Sequence, residues 1–121
     1  MPVVLIVDDE LLCRNVLTMM LRTLGVEAAS AEGGVEALNI LRENPDKFDT
    51  VLLDIMMPDM NGIDVLTEIK NDASLKHLKV IIQSGSNDSN DRKRAKELGA
   101  LTWLNKPYQI QDIKDAIAEL F

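Results

Sequence analysis

The chain has 121 residues, enough for one domain with its own core and short for two. Its apolar content of 46% fits a globular protein, and with aromatics at 3% the core has to be aliphatic. Twenty acidic against thirteen basic side chains give a net charge of −7, which argues against nucleic-acid binding; a lone cysteine, Cys13, and a lone histidine, His77, exclude a disulfide framework, a multi-cysteine zinc site and a histidine-rich metal site.

The longest uninterrupted apolar run is VVLIV at positions 3–7, far short of a membrane span, and no stretch resembles a signal peptide. A cytoplasmic protein with no membrane partner is expected. That same run reads as a strand buried on both faces and ends at Asp8-Asp9. From Glu10 to Leu24 the residues Leu12, Val16, Met20 and Leu24, with Leu17 and Leu21 alongside, predict an amphipathic helix stopped by Gly25. Val26–Ser30 is a weak, partly polar strand suited to a sheet edge. Gly34–Asn44 is helical through Leu38 and Leu41, and Asn44-Pro45 closes it. Thr50–Leu53 is a strand ending at Asp54.

The loop MMPDMNG follows. Asn61-Gly62 would suit a hairpin, but Ile63, Leu66 and Ile69 continue with helical spacing. Residues 71–78 are a polar connector, Lys79–Gln83 a strong strand ending at Ser84-Gly85, and 87–98 a helix whose apolar face is little more than Ala95 and Leu98. Leu101–Leu104 is a short strand before Asn105-Lys106-Pro107, and Ile110, Ile113, Ile117 and Leu120 mark a last helix. Five strands alternating with five helices imply an α/β fold, a doubly wound five-stranded parallel sheet with right-handed crossovers.

Each strong strand ends in a chemically useful residue. Asp8-Asp9 follow the first, Asp54 the third, Ser84 the fourth and Lys106 the fifth. Singly, these read as a helix cap, a turn residue, a loop hydroxyl and a surface lysine. Together they coincide with the carboxyl edge of an open α/β sheet, where sites form. Carboxylates converging there repel one another, and a hard divalent cation relieves the repulsion; oxygen donors with open positions favour magnesium. A carboxylate, a cation, a hydroxyl and a lysine suit phosphoryl transfer to an acyl phosphate. No GxxxxGK[ST] loop is present to bring a nucleotide.

VVLIVDDE, LLDIMMPDMNG, VIIQSGS and LNKPY, in this order and spacing, resemble the receiver domain of bacterial response regulators, and the chain is similar to its single-domain, CheY-like members. The resemblance covers essentially residues 1–121 as one receiver domain and implies the flavodoxin-like (βα)5 strand order 2-1-3-4-5, which is taken over from the family and not read from the residues. It implies that Asp54 accepts a phosphoryl group from the phosphohistidine of a sensor histidine kinase or phosphotransfer protein. Asp9 and Asp54 would bind Mg2+ directly, Asp8 mainly through water, and the Met56 carbonyl would complete the protein ligands. Ser84 matches the switch hydroxyl, Lys106 the phosphate-pairing lysine, and Lys106-Pro107 the candidate cis peptide bond. Trp103 stands where the family more often carries a switch Tyr or Phe. The resemblance places the output partner on the face of helix 4, strand 5 and helix 5.

Other features fit this reading. Arg92, Lys93, Arg94 and Lys96 form a basic run, either a solvated face or part of a docking surface for an acidic partner. Neither Met56 nor Ser86 offers an acid or amide to orient an attacking water, so no unusually fast self-dephosphorylation is expected. Cys13 is expected in the core, and Met56, Met57 and Met60 to pack within their loop. With no output domain expected inside these residues, the signal leaves through a surface. The alternatives are a receiver belonging to a larger regulator or hybrid kinase, an aspartyl-phosphate phosphatase with external substrates, and an unphosphorylated interaction module.

Overall fold

The computed structural model describes residues 3–85, 88–106 and 109–118. The elements run β1 (Val3–Val7), α1 (Leu11–Thr23), β2 (Glu27–Ala31), α2 (Gly34–Glu43), β3 (Thr50–Asp54), α3 (Gly62–Asn71), β4 (Lys79–Ser84), α4 (Ser89–Glu97), β5 (Thr102–Asn105) and α5 (Ile110–Ala118). All pairings are parallel, in the order β2-β1-β3-β4-β5. The order the resemblance implies is therefore the observed one, and the weak strand β2 lies at an edge.

Alternation along the strands divides the core into two layers. Leu5, Val7, Val51, Leu53, Val80 and Ile82 face α2, α3 and α4, where Leu38, Leu41, Ile63, Leu66, Ile69 and Ala95 meet them. Val4, Ile6, Leu52 and Ile81 face α1 and α5, against Leu17, Leu21, Ile113 and Ile117. Each fully buried aliphatic side chain contributes about 1.5–3 kcal/mol by leaving water. The register sets Val7 opposite Leu53, Asp54 opposite Gln83 and Ser84 opposite Asn105, so all strand ends meet on one edge.

Three expectations need correction. In α1 the buried face is Arg14, Leu17 and Leu21, with Met20 and Leu24 partly buried, whereas Leu12 is 74% and Val16 41% exposed. The helix carries apolar residues nearly all round, so spacing alone cannot phase it, and Arg14 turns inward because a buried carbonyl takes its guanidinium. Cys13 is only half-buried, with Sγ 3.9 Å from Glu10 Oε2 on the site side of α1, and burial pushes its thiol pKa up. The connector 71–78 is less polar than it reads, because Leu75 and Leu78 are wholly buried.

Other local signals operate as expected. Gly25, at φ 76°, ends α1 in the left-handed region. Asn61 caps α3 by accepting the Ile63 N–H at 2.8 Å, so Asn61-Gly62 opens a helix and not a hairpin. Asp88 caps α4 by accepting from Asn90 and Asp91, and the only buried residue of α4 is Ala95.

Candidate functional site

The carboxyl ends of β1, β3, β4 and β5 enclose a cleft of about 390 Å³ lined by Glu10, Asp54, Met56, Ser84, Gly85 and Lys106. Carboxylate oxygens of Asp8, Asp9 and Asp54 lie within 4.8 Å of one another. Asp8 is wholly buried and Asp54 5% exposed, while Asp9 faces solvent. Lys106 reaches across from the end of β5, its Nζ 2.9 Å from Asp8 Oδ2 and 3.5 Å from Asp54 Oδ2. Its backbone N–H donates to the Ser84 carbonyl at 2.7 Å, which fixes the root of that side chain. The Ser84 side chain is buried at the cleft wall.

The electrostatics follow from this crowding. Burial raises the Asp54 carboxyl from 3.8 to about 6; Asp8 adds to the rise, while Lys106 and the backbone N–H groups of Met56 and Ile55 oppose it. Burial alone would lower the Lys106 ammonium, but its bond to Asp8 and the charges of Asp54 and Asp8 raise it above 10.5. One ammonium thus contacts two of three clustered carboxylates, and negative charge remains in excess. The donor atoms are all oxygens, the chemistry a hard divalent cation takes.

Three residues outside the sequence-derived set support this arrangement. Arg14 is buried and donates to the Asp8 carbonyl at 2.8 Å, and pairs loosely with exposed Glu32 at 3.6 Å. Gln83, buried at the end of β4, points an amide toward Asp8 Oδ2 at 3.5 Å. Its sequence signal is a polar residue closing an otherwise apolar strand. Gly62 lies so close to β3 that a Cβ there would collide with the Asp54 carbonyl, and its N–H donates to the Ile55 carbonyl at 2.8 Å.

The methionine cluster divides: Met57 and Met60 pack on the core, while Met56 is 70% exposed at the cleft. Trp103 is half-buried, donating from Nε1 to Asn105 Oδ1 at 3.1 Å, with the Arg92 guanidinium 5.6 Å from its ring centroid. Pro107 and Ser86, named above for the cis peptide bond and for dephosphorylation, lie outside the described residues. Among the described residues no helix is long and apolar enough to cross a membrane.

Comparison with known proteins bears on this cleft. The family model described as the response regulator receiver domain matches residues 4–118. Sporulation initiation phosphotransferase F of Bacillus subtilis is 36% identical over 115 residues, covering 94% of this chain and 89% of that protein. Chemotaxis protein CheY of Pseudomonas aeruginosa is 34% identical over 119 residues, covering 98% and 94%. A receiver domain protein from Clostridium thermocellum superposes with a TM-score of 0.92 at 33% identity, covering 99% of this chain and 94% of that one. The response regulator TrrA of Thermotoga maritima, solved in complex with Mg2+-BeF, has a TM-score of 0.88 at 29% identity, covering 100% of both chains. With the strand order, the acidic cleft and these matches in agreement, the chain belongs to the response regulator receiver domain family, the phosphoacceptor modules of two-component signalling.

Proposed function

We propose that Asp54 is the phosphoacceptor. A carboxylate oxygen forms the new bond to phosphorus while the P–N bond of a donor phosphohistidine breaks, and the departing imidazole keeps the electron pair and takes up a proton. The observation that carries this reading is the Lys106 ammonium, 3.5 Å from Asp54 and 2.9 Å from Asp8 in the cleft that Ser84 also lines. In the product, Lys106 pairs with one phosphoryl oxygen and the Ser84 hydroxyl donates to another. The clustered carboxylates fit a magnesium ion, which Asp8, Asp9, Asp54 and the Met56 carbonyl would hold. Bound there, it supplies the positive charge that phosphoryl oxygens require.

Met56 brings no acid or amide to the cleft, which disfavours a phosphatase acting on external esters and slow-marches hydrolysis of the protein's own acyl phosphate. The chain therefore catalyses steps on itself and relays them. A phosphorylated form that decays within seconds contradicts this. Leu11, Leu12, Val16 and Met19 give α1 an exposed apolar face just beyond Glu10 of the cleft rim, a surface for the phosphodonor protein. The signal leaves through α4, β5 and α5: Ser84 moves toward the phosphoryl group, Trp103 follows, and the groove between α4 and β5 changes shape. That groove, of about 480 Å³, sets Arg92, Lys93 and Lys96 around Ala95, Leu101 and Trp103.

Incubation with acetyl phosphate and magnesium, followed by intact mass measurement, tests the core of this reading. One added phosphoryl group, absent in Asp54→Asn and absent with chelator, is expected. No adduct in the presence of magnesium refutes it.

A further inference from the structure

Asp59 does not line the cleft, yet it ties the loop that does to another helix. Its Oδ1 accepts the Gly34 N–H at 3.2 Å and its Oδ2 accepts the Val35 N–H at 3.1 Å. These are amides of the first turn of α2, whose own N-cap position is Gly33, with no side chain to serve them. The cap comes instead from 25 residues away along the chain. Room for it exists only because position 33 is glycine: a Cβ there would lie 2.6 Å from Asp59 Oδ1. Gly33 has φ −168°, extended backbone open to any residue, so the glycine answers to space and not to conformation. The Val35 amide above all, with that of Gly34, holds the Asp59 carboxyl below its ordinary range, as expected for a charge-assisted cap at a helix amino terminus.

The segment 55–62 is pinned elsewhere too. Gly62 N–H bonds the Ile55 carbonyl at 2.8 Å, and Asn61 caps α3. Met57 and Met60 are set into the core, while Met56 is left exposed at the cleft. On one side the Met56 N–H bonds the Asp54 carboxylate, and on the other Asp59 ties the loop to α2, so the Met56 carbonyl rests between these two anchors and its position depends in part on what holds Asp59. A ligand carbonyl displaced by an ångström loses much of its value to a cation, and partners outside the ligand shell commonly alter metal affinity 10–100-fold, an order-of-magnitude range of about one to two decades.

We propose that Asp59 is a positioning residue for the phosphoacceptor site: its latch onto the amino terminus of α2 holds the Met56 carbonyl in place for the divalent cation. This rests on the acceptor reading above. The latch can be opened from either side, by Asp59→Ala or by Gly33→Ala, whose methyl group displaces the carboxylate; Asp59→Asn keeps an acceptor of the same length.

Magnesium binding to the full chain is measured by calorimetry, amide exchange at Val35 by NMR, and acetyl phosphate labelling as a function of magnesium. In Asp59→Ala and Gly33→Ala, the Val35 amide exchanges faster and the magnesium Kd rises about tenfold, with Asp59→Asn nearer the parent. Half-saturating magnesium for labelling rises in parallel, while the rate at saturating magnesium stays within about twofold, a split that general loss of stability does not produce. Circular dichroism confirms that each variant is folded, and Gly33→Ala carries the test if Asp59→Ala is not. Parent-like magnesium affinity in folded variants, or an unchanged Val35 amide, overturns the latch alone. A parent chain that binds no magnesium overturns the acceptor reading and the latch with it.

Discussion

β3 and β5 lie in one sheet and contribute to one cleft, but they are built oppositely. All five residues of β3 are buried, paired on both sides by β1 and β4, and α3 covers it with five buried residues. β5 is an edge strand, three of its four residues half-buried and the last exposed, beside an α4 that buries Ala95 alone. The Asp54 carboxylate stands on the strand held from both sides, and the lysine 3.5 Å from it directly follows the loosely covered edge strand β5. Local opening is cheapest where few apolar contacts resist it. On the proposed reading the chemistry falls on the fixed part of the sheet and the response on its looser edge, and Lys106 connects the two.

Cutting that connection should have the largest effect on stability. Lys106→Met leaves the wholly buried Asp8 without its 2.9 Å ammonium partner. A loss of about 3 kcal/mol is expected by chemical denaturation without divalent ions, because an uncompensated buried charge remains. Magnesium should recover most of it. Since the folded state raises the lysine's pKa, the contribution is fully present below pH 10.5 and disappears as pH rises beyond that. A variant as stable as its parent in chelator would show that Lys106 does not couple β5 to the carboxylates at the ends of β1 and β3.

On the fixed side, the site is held at a cost to the fold. The Asp54 carboxyl titrates at about 6 when folded against 3.8 in its ordinary state, so the folded form binds the proton more tightly. Stability from this group is present below the lower value and is lost as pH rises through the higher one. Asp54→Asn should therefore be more stable than the parent at pH 7 by about 2–3 kcal/mol, with the gap closing toward pH 4 or on adding magnesium. A gap that widens on acidification has the opposite sign and refutes the account. At the other end of the same strand, Thr50 buries a hydroxyl with no partner among the described residues. Thr50→Val should stabilise by about 1 kcal/mol in thermal melts, with no effect on phosphorylation.

The division between the strands also explains what the sequence disclosed. Asp8, Asp54, Ser84 and Lys106 were legible because each closes or directly follows a strand, and a parallel sheet brings such positions to one edge. Asp59 and Gln83 were not, because one holds a backbone amide 25 residues away and the other faces a side chain 75 residues away, and Arg14 was not, because its bond to the Asp8 carbonyl six residues back depends on the unreadable phase of α1. The phase of α1 was hidden by its apolar residues on every side, and Cys13 was misplaced with it. The thin contact of α4 could be read directly, since its nine residues offered Ala95 and little else.

The smallest energetic effect is expected at β5, and it is the most informative about movement. Trp103 is held by its 3.1 Å bond to Asn105 and by Arg92 over its ring, both exposed partners worth at most about 0.5–1 kcal/mol each. Asn105→Ala should barely shift the melting curve. It removes the indole's hydrogen bond, however, which a Tyr or Phe at this position would not make in the same way, and so frees the ring to change position. As the only tryptophan, Trp103 reports this directly: the variant's emission should differ before phosphorylation and change more readily after it. If parent and variant instead give superimposable spectra in both states, the indole does not move, and response must be carried by α4 without its neighbouring strand.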